Sequence, residues 1–134
     1  MLTNLLPDGN IRLVRNMVVR LPDIKLTVSK GFKTDGASIP WFLGFIGNHF
    51  EGDTMAGAVV HDAIYSHRGH VRINGKVELL NRATADYIFY IILRDHCPRW
   101  KAPVYYAGVR LGGWMPWYFG KHSNRVIICN ITTY

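Results

Sequence analysis

The stretch from Glu78 to His96 (ELLNRATADYIFYIILRDH) constrains the fold most, because its apolar residues recur at helical spacing. Cys97-Pro98 ends the pattern, since a proline cannot supply the N–H that a continuing helix needs. We therefore predict a helix from about Glu78 to His96.

An earlier helix is predicted from about Asp53 to His67. Asp53-Thr54 supplies an N-cap, and the small and apolar residues of MAGAVVHDAIYSH suit a tightly packed helix. Between the two helices, Arg68 to Val77 contains Asn74-Gly75, which is the strongest short hairpin signal. A small hairpin is expected there.

Strands are predicted near both ends of the chain. Ile11 to Leu21 and Ile24 to Phe32 are rich in Val, Ile, Leu and Thr, and the turn signal Pro22-Asp23 divides them. Arg125 to Ile131 indicates a last strand, and Pro103 to Gly113 a short third helix. The prediction is an α+β fold with antiparallel N- and C-terminal strands beside two central antiparallel helices.

The composition bounds the class of protein. The 134 residues, 49% of them apolar and 19% charged, show no repeat or linker, so we expect a single domain spanning residues 1–134. Cys97 and Cys129 permit at most one disulfide, so stability must come from packing. No apolar stretch is long enough to cross a bilayer. Because Met1 to Asp8 do not resemble a secretory signal, an intracellular location is expected.

The net charge of +7 favours anionic partners, among them an anionic membrane surface, but does not select one. The basic residues are dispersed and form no recognisable nucleic-acid motif, so specific nucleic-acid binding is not expected. A group of aromatic residues would suit a membrane interface or a partner groove if it is exposed beside Arg and Lys residues, or the core if it is buried. They are Trp41, Phe42, Phe45, Trp114, Trp117, Tyr118 and Phe119.

Three polar residues of the predicted helices form a candidate catalytic site. His61 and Tyr65 are four residues apart and share a helix face. Asp86 can reach that face if the second helix is antiparallel to the first. A carboxylate on one imidazole nitrogen leaves the other free to take a proton from water. The candidate catalytic residues are therefore His61, Asp86 and Tyr65, and the alternative is a hydrogen-bonded structural cluster.

The order TDGAS, HDAIY and ATADYIFY resembles secreted phospholipase A2, including its bacterial and parvoviral forms. The resemblance implies that His61 is the base that activates water and that Asp86 is its partner. It also implies that Tyr65 supports Asp86 and that Asp62 is a calcium ligand.

A calcium site is predicted where Asp62 faces the loop from Thr34 to Pro40. The Asp35 carboxylate and backbone carbonyls of this loop could complete an oxygen-lined site. In the phospholipase resemblance the Gly36 carbonyl is the corresponding loop ligand. The candidate metal ligands are Asp62, Asp35 and Gly36. Zinc is the alternative metal, and its ligands would be His67 and His70, which are close to His61 in the sequence, together with an aspartate.

The chain also resembles a family of small uncharacterised proteins of tailed bacteriophages and prophages. The shared motifs are FxTDGASIP at Phe32 to Pro40, HD at His61-Asp62, AD at Ala85-Asp86 and YxGVRLGG at Tyr106 to Gly113. This resemblance implies a phage origin, phage particle proteins as partners, and a location in the host bacterial cytoplasm or in the particle.

Two functions follow from these patterns. The first is a phage-encoded hydrolase with a His-Asp dyad, calcium-assisted and acting on lipid esters as phospholipase A2 does. The second is a non-enzymatic tail or particle component, in which the same cluster ties two helices together.

Overall fold

The computed structural model describes residues 3–5, 11–34, 55–112, 117–118 and 129–133. Within these ranges the three helices and eight strands confirm the predicted α+β class. In chain order the elements are β1 (Thr3–Leu5), β2 (Ile11–Leu13), β3 (Met17–Arg20), β4 (Ile24–Val28), β5 (Lys33–Thr34), α1 (Met55–Ser66), β6 (His70–Ile73), β7 (Lys76–Leu79), α2 (Arg82–His96), α3 (Lys101–Gly112) and β8 (Cys129–Thr133).

The larger sheet of the described residues has the order β3-β4-β8-β6-β7. All its neighbouring strands are antiparallel except β6 and β8, which are parallel. The C-terminal strand thus lies between the N-terminal hairpin and the hairpin that separates the helices. A smaller antiparallel sheet has the order β1-β2-β5.

The segment predicted as one strand, Ile11 to Leu21, is divided into β2 and β3 at residues 14–16. At this break the Asn16 side chain accepts a hydrogen bond of 2.8 Å from the backbone N–H of Lys30. The ladder is interrupted at this point, where a side-chain acceptor serves the Lys30 N–H, and β2 and β3 belong to different sheets.

The second helix begins at Arg82, so the predicted start at Glu78 is wrong. Glu78 and Leu79 instead extend the Asn74-Gly75 hairpin as part of β7. Asn81 is the N-cap of α2, and its side chain accepts a hydrogen bond of 2.8 Å from the backbone N–H of Thr84.

The predicted antiparallel arrangement of the first two helices is present. Gly57, near the start of α1, lies against Leu93 in the second half of α2, whereas Tyr65 near its end contacts Asp86 in the first half. A Cβ atom on Gly57 would come within 2.9 Å of the Leu93 side chain, so glycine allows the close approach of the helices.

Two apolar clusters hold these elements together. In the first, α1 and α2 pack on the larger sheet, with Val60, Ile64 and Ile92 near Leu26 and Ile131. In the second, α3 packs on the other side of the helix pair. Its members are Ala58, Phe89, Leu93, Ala102, Tyr105 and Val109. None of the described helices combines the length and apolar character of a membrane span.

Several predicted segments fall outside the described residues, completely or in part. They are the Asp53-Thr54 cap, the loop after Thr34, the aromatic segment Trp41 to Phe50 and the first part of the predicted strand Arg125 to Ile131.

We expect Gly69→Ala to lower the free energy of unfolding by about 2 kcal/mol more than Gly31→Ala does. Both glycines have a φ of +89°, so both substitutions carry the cost of a left-handed alanine. At Gly69 the new Cβ would also collide with the Leu80 carbonyl oxygen. At Gly31 a Cβ would have no atom of the described residues within 4 Å beyond its chain neighbours. Urea unfolding of both variants tests this difference, and equal losses would contradict it.

Candidate functional site

The Asp86 side chain, on α2, is fully buried and is the centre of a polar cluster. Its Oδ1 lies 2.8 Å from Nε2 of His61 and accepts a hydrogen bond of 2.6 Å from the Tyr65 hydroxyl. Its Oδ2 accepts hydrogen bonds of 2.9 Å from Arg110 and 3.3 Å from Arg82. Four donors therefore saturate one carboxylate.

These donors come from all three helices. His61 and Tyr65 are one helical turn apart on α1 and face α2. Arg82 lies one turn before Asp86 on α2, and Arg110 is in the last turn of α3. The arginine side chains are 17% and 34% exposed, so the ion pairs connect a buried carboxylate to the solvent boundary.

Arg82 also ties α3 to the cluster. Its guanidinium donates hydrogen bonds of 3.1 Å to the Val109 carbonyl and 3.3 Å to the Arg110 carbonyl. The last carbonyls of a helix have no partner within the helix, so these bonds satisfy groups that burial would otherwise penalise. The end of α3 is thereby held against the start of α2.

The two nitrogens of the His61 ring have opposite environments. A carboxylate can only accept, so Nε2 carries the proton that is donated to Asp86. When the ring is neutral, Nδ1 therefore carries a lone pair and no proton. This Nδ1 atom is buried and has no hydrogen-bond partner among the described residues. The ring is held between those of Tyr65 and Phe89, with centroids 4.1 Å and 4.8 Å away.

Tyr65 acts as a permanent donor in this arrangement. Burial, and then the negative charge of Asp86 beside it, raise the pKa of the Tyr65 phenol well above its usual value. The hydroxyl therefore stays protonated and keeps Oδ1 of Asp86 directed toward His61. The ring packs edge-on against Trp117 at 5.0 Å, which places that tryptophan in the core.

The structure thus brings His61, Tyr65 and Asp86 together, while their catalytic role stays a prediction. Asp62 is buried on α1 next to His61. The other predicted calcium ligands, Asp35 and Gly36, lie outside the described residues. Over the part of the chain that is described, no group of three or more His, Cys, Asp or Glu side chains is arranged to hold a metal ion.

The two histidines of the zinc prediction contact the backbone. Nδ1 of His67 lies 3.1 Å from the Ala63 carbonyl oxygen, and Nδ1 of His70 lies 2.9 Å from the carbonyl oxygen of His67. Both contacts fix these rings by local bonds at the end of α1. A zinc-binding role for them stays a prediction.

Sequence reasoning missed Arg82 and Arg110. Arg82 could have been found from its position four residues before Asp86 on a predicted helix, which is a spacing that supports an ion pair. Arg110 lies in the GVRLGG motif, but its contact with Asp86 spans 24 residues and depends on how α3 packs.

Asp86→Asn should lower the free energy of unfolding by about 2 kcal/mol or more, because it leaves two partly buried guanidiniums without a counter-charge. Asp95→Asn, on the exposed side of the same helix, is the matched control and should change it by less than about 0.5 kcal/mol. Chemical denaturation followed by circular dichroism measures both. Similar values for the two variants would contradict a central role for Asp86.

The comparisons with known proteins are consistent with an uncharacterised family. Neither the curated proteins nor the solved structures contain a significant match to the chain. One family model matches residues 11–109, which include β2 to β7, both central helices and most of α3. The matched region contains His61, Tyr65, Arg82 and Asp86, and it ends one residue before Arg110. The chain belongs to the family described as "Protein of unknown function (DUF1353)".

Proposed function

We propose that this protein is a hydrolase of lipid esters in which His61 is the general base. The observation that carries the proposal is the Nδ1 atom of His61, which has no hydrogen-bond partner within the described part of the chain, on a ring whose other nitrogen is fixed by Asp86. Among the described residues, Nε2 of His67 is also buried without a partner, but the other nitrogen of that ring contacts a backbone carbonyl. At His61 the other nitrogen is bonded to a carboxylate, which can orient the ring and stabilise an imidazolium. A base needs a lone pair that is free.

In the proposed reaction, Nδ1 of His61 takes a proton from a water molecule as the water oxygen attacks the ester carbonyl carbon. The bond from this carbon to the alcohol oxygen then breaks, and the imidazolium returns the proton to the leaving alcohol. The products are a carboxylic acid and an alcohol. Asp86 is a positioning residue that fixes the tautomer and stabilises the imidazolium.

Tyr65, Arg82 and Arg110 position Asp86 and do not touch the substrate. Tyr65 shares Oδ1 with His61, whereas the two arginines hold Oδ2. The carboxylate is therefore fixed at both oxygens and cannot rotate away from the imidazole. His61 is fully buried in this arrangement, so the proposed reaction requires a transient local opening that admits water and the ester to Nδ1.

Calcium fits this proposal through Asp62, whose carboxylate is the kind of oxygen ligand that the ion prefers. Asp62 is adjacent to His61 on α1 and would hold the ion with Asp35 and the Gly36 carbonyl. A bound calcium ion would polarise the ester carbonyl.

A particle component of a phage is the second candidate, favoured by the complete burial of His61 and Asp86 and by the two arginines. In this second function the network would have no catalytic role and would only hold the three helices together. Turnover separates the two candidates, because a structural network makes no use of the lone pair on Nδ1.

His61→Gln should reduce the hydrolysis of dispersed phospholipid by about a hundredfold or more, because the general base is lost. His67→Gln is the matched control, since His67 is also buried near the end of α1 and its Nε2 also has no partner among the described residues, but its Nδ1 contacts a backbone carbonyl and not a carboxylate. Release of fatty acid from phospholipid vesicles measures the rate, and thermal melting shows whether both variants fold. An unchanged rate in a folded His61→Gln variant would exclude the proposal.

Calcium should raise both the rate and the melting temperature of the wild-type protein, and Asp62→Asn should remove both responses. The reason is that the carboxylate of Asp62 supplies the negative charge that attracts the ion. Titration with calcium after treatment with a chelator tests this, with Asp95→Asn as the control. Equal responses in wild type and Asp62→Asn would exclude Asp62 as a ligand.

A further inference from the structure

The strand β7 (Lys76–Leu79) forms an open edge of the larger sheet. All four of its residues are exposed, including Val77 at 53% and Leu79 at 66%. Among the described residues, β7 pairs with β6 on one side and with no strand on the other. An exposed edge with apolar side chains is a template for pairing with another strand.

The hydrogen bonds of the hairpin show which backbone groups of β7 face this open side. Asn74 and Gly75 both have positive φ, as in a two-residue type I′ turn, and Ile73 pairs with Lys76 next to the turn. At the other end, the N–H of Leu80 donates a hydrogen bond of 2.8 Å to the Gly69 carbonyl.

Along a strand, the backbone N–H and C=O groups of successive residues point alternately to one neighbouring strand and to the other. Since Lys76 and Leu80 bond toward β6, Glu78 between them does so as well. The N–H and C=O groups of Val77 and Leu79 therefore point outward. Val77 thus offers one donor and one acceptor to a strand placed beside β7.

We propose that two copies of this chain associate by pairing β7 with β7 antiparallel, with Val77 opposite Val77 of the partner subunit. A two-fold axis through this pair lets each Val77 donate to and accept from the other. The same axis places Lys76 opposite Glu78 of the partner subunit, and Glu78 opposite Lys76 of the partner subunit. Opposite charges directly across an antiparallel pair stabilise it.

The neighbouring symmetric register is less favourable. A two-fold axis at Glu78 would place Glu78 opposite Glu78 of the partner subunit, and like charges directly opposite each other destabilise a strand pair. With the axis at Val77, the sequence Lys-Val-Glu instead pairs with an antiparallel copy of itself so that each Lys faces a Glu. This self-complementarity is the reason for choosing a second copy as the occupant, and the shortness of β7 predicts a weak, concentration-dependent dimer.

Charge reversal of the full-length protein provides the test. Lys76→Glu and Glu78→Lys should each weaken self-association by about tenfold or more, because each puts two like-charged pairs into the dimer. A mixture of the two variants should restore association as a heterodimer, since every Glu then faces a Lys. Lys30→Glu, an exposed reversal away from β7, is the control for net charge and should leave association unchanged.

Val77→Pro provides a second test, because it removes the outward N–H without removing a bond to β6. It should leave the fold intact and abolish the dimer. Sedimentation velocity over a range of concentrations measures all variants, and circular dichroism shows whether they are folded. A wild-type protein that stays monomeric at the highest concentration, or a mixture that fails to associate, would overturn the proposal. Growth to open-ended polymers would also overturn it, since a two-fold pair is closed.

Discussion

The carboxylate of Asp86 is the group on which the arrangement of the helices depends. A buried charge is expensive unless it is paired and hydrogen-bonded, and Asp86 meets this requirement only with donors from three helices. α1 must present His61 and Tyr65 to it, and α3 must bring Arg110. A displacement of either helix would leave part of this charge uncompensated.

The close packing of α1 on α2 allows the short contacts of this cluster. Gly57 lets the start of α1 approach Leu93 and Phe89, and the antiparallel course then brings Tyr65 to Asp86. Apolar contacts and the polar cluster therefore depend on the same interhelical distance. This shared geometry explains why a saturated ion network can lie inside a helix pair that is otherwise apolar.

The polar atoms of the cluster differ in whether they have hydrogen-bond partners. Every lone pair of the Asp86 carboxylate has a donor, whereas Nδ1 of His61 has no partner among the residues described. The arginines hold one oxygen so that the other remains directed toward the imidazole. Within this cluster, Nδ1 of His61 is therefore the atom that can still accept a hydrogen bond. A proton from water would satisfy this acceptor, which is the basis of the proposed hydrolase.

How much of the fold and of the candidate site could be predicted depends on how far apart in the sequence the interacting residues lie. Local patterns of a few residues can be read directly from the sequence. They were enough to predict the α+β class, the Asn74-Gly75 turn and the shared helix face of His61 and Tyr65. The break of the N-terminal strand could not be predicted, because the bond between Asn16 and Lys30 at this break joins residues 14 positions apart and depends on how the two segments pack.

The sequence by itself determined the α+β class, the two central helices, the Asn74-Gly75 hairpin and the candidate His-Asp-Tyr cluster. It also determined the likeness to a family of unknown function, which a family model confirmed. Tertiary structure alone decided that β8 lies parallel to β6 and that Arg110 reaches Asp86. It also decided which nitrogen of the His61 ring has no partner among the described residues. The physical reason is that periodicity reports which residues share a face, whereas contacts between distant segments depend on how those faces pack.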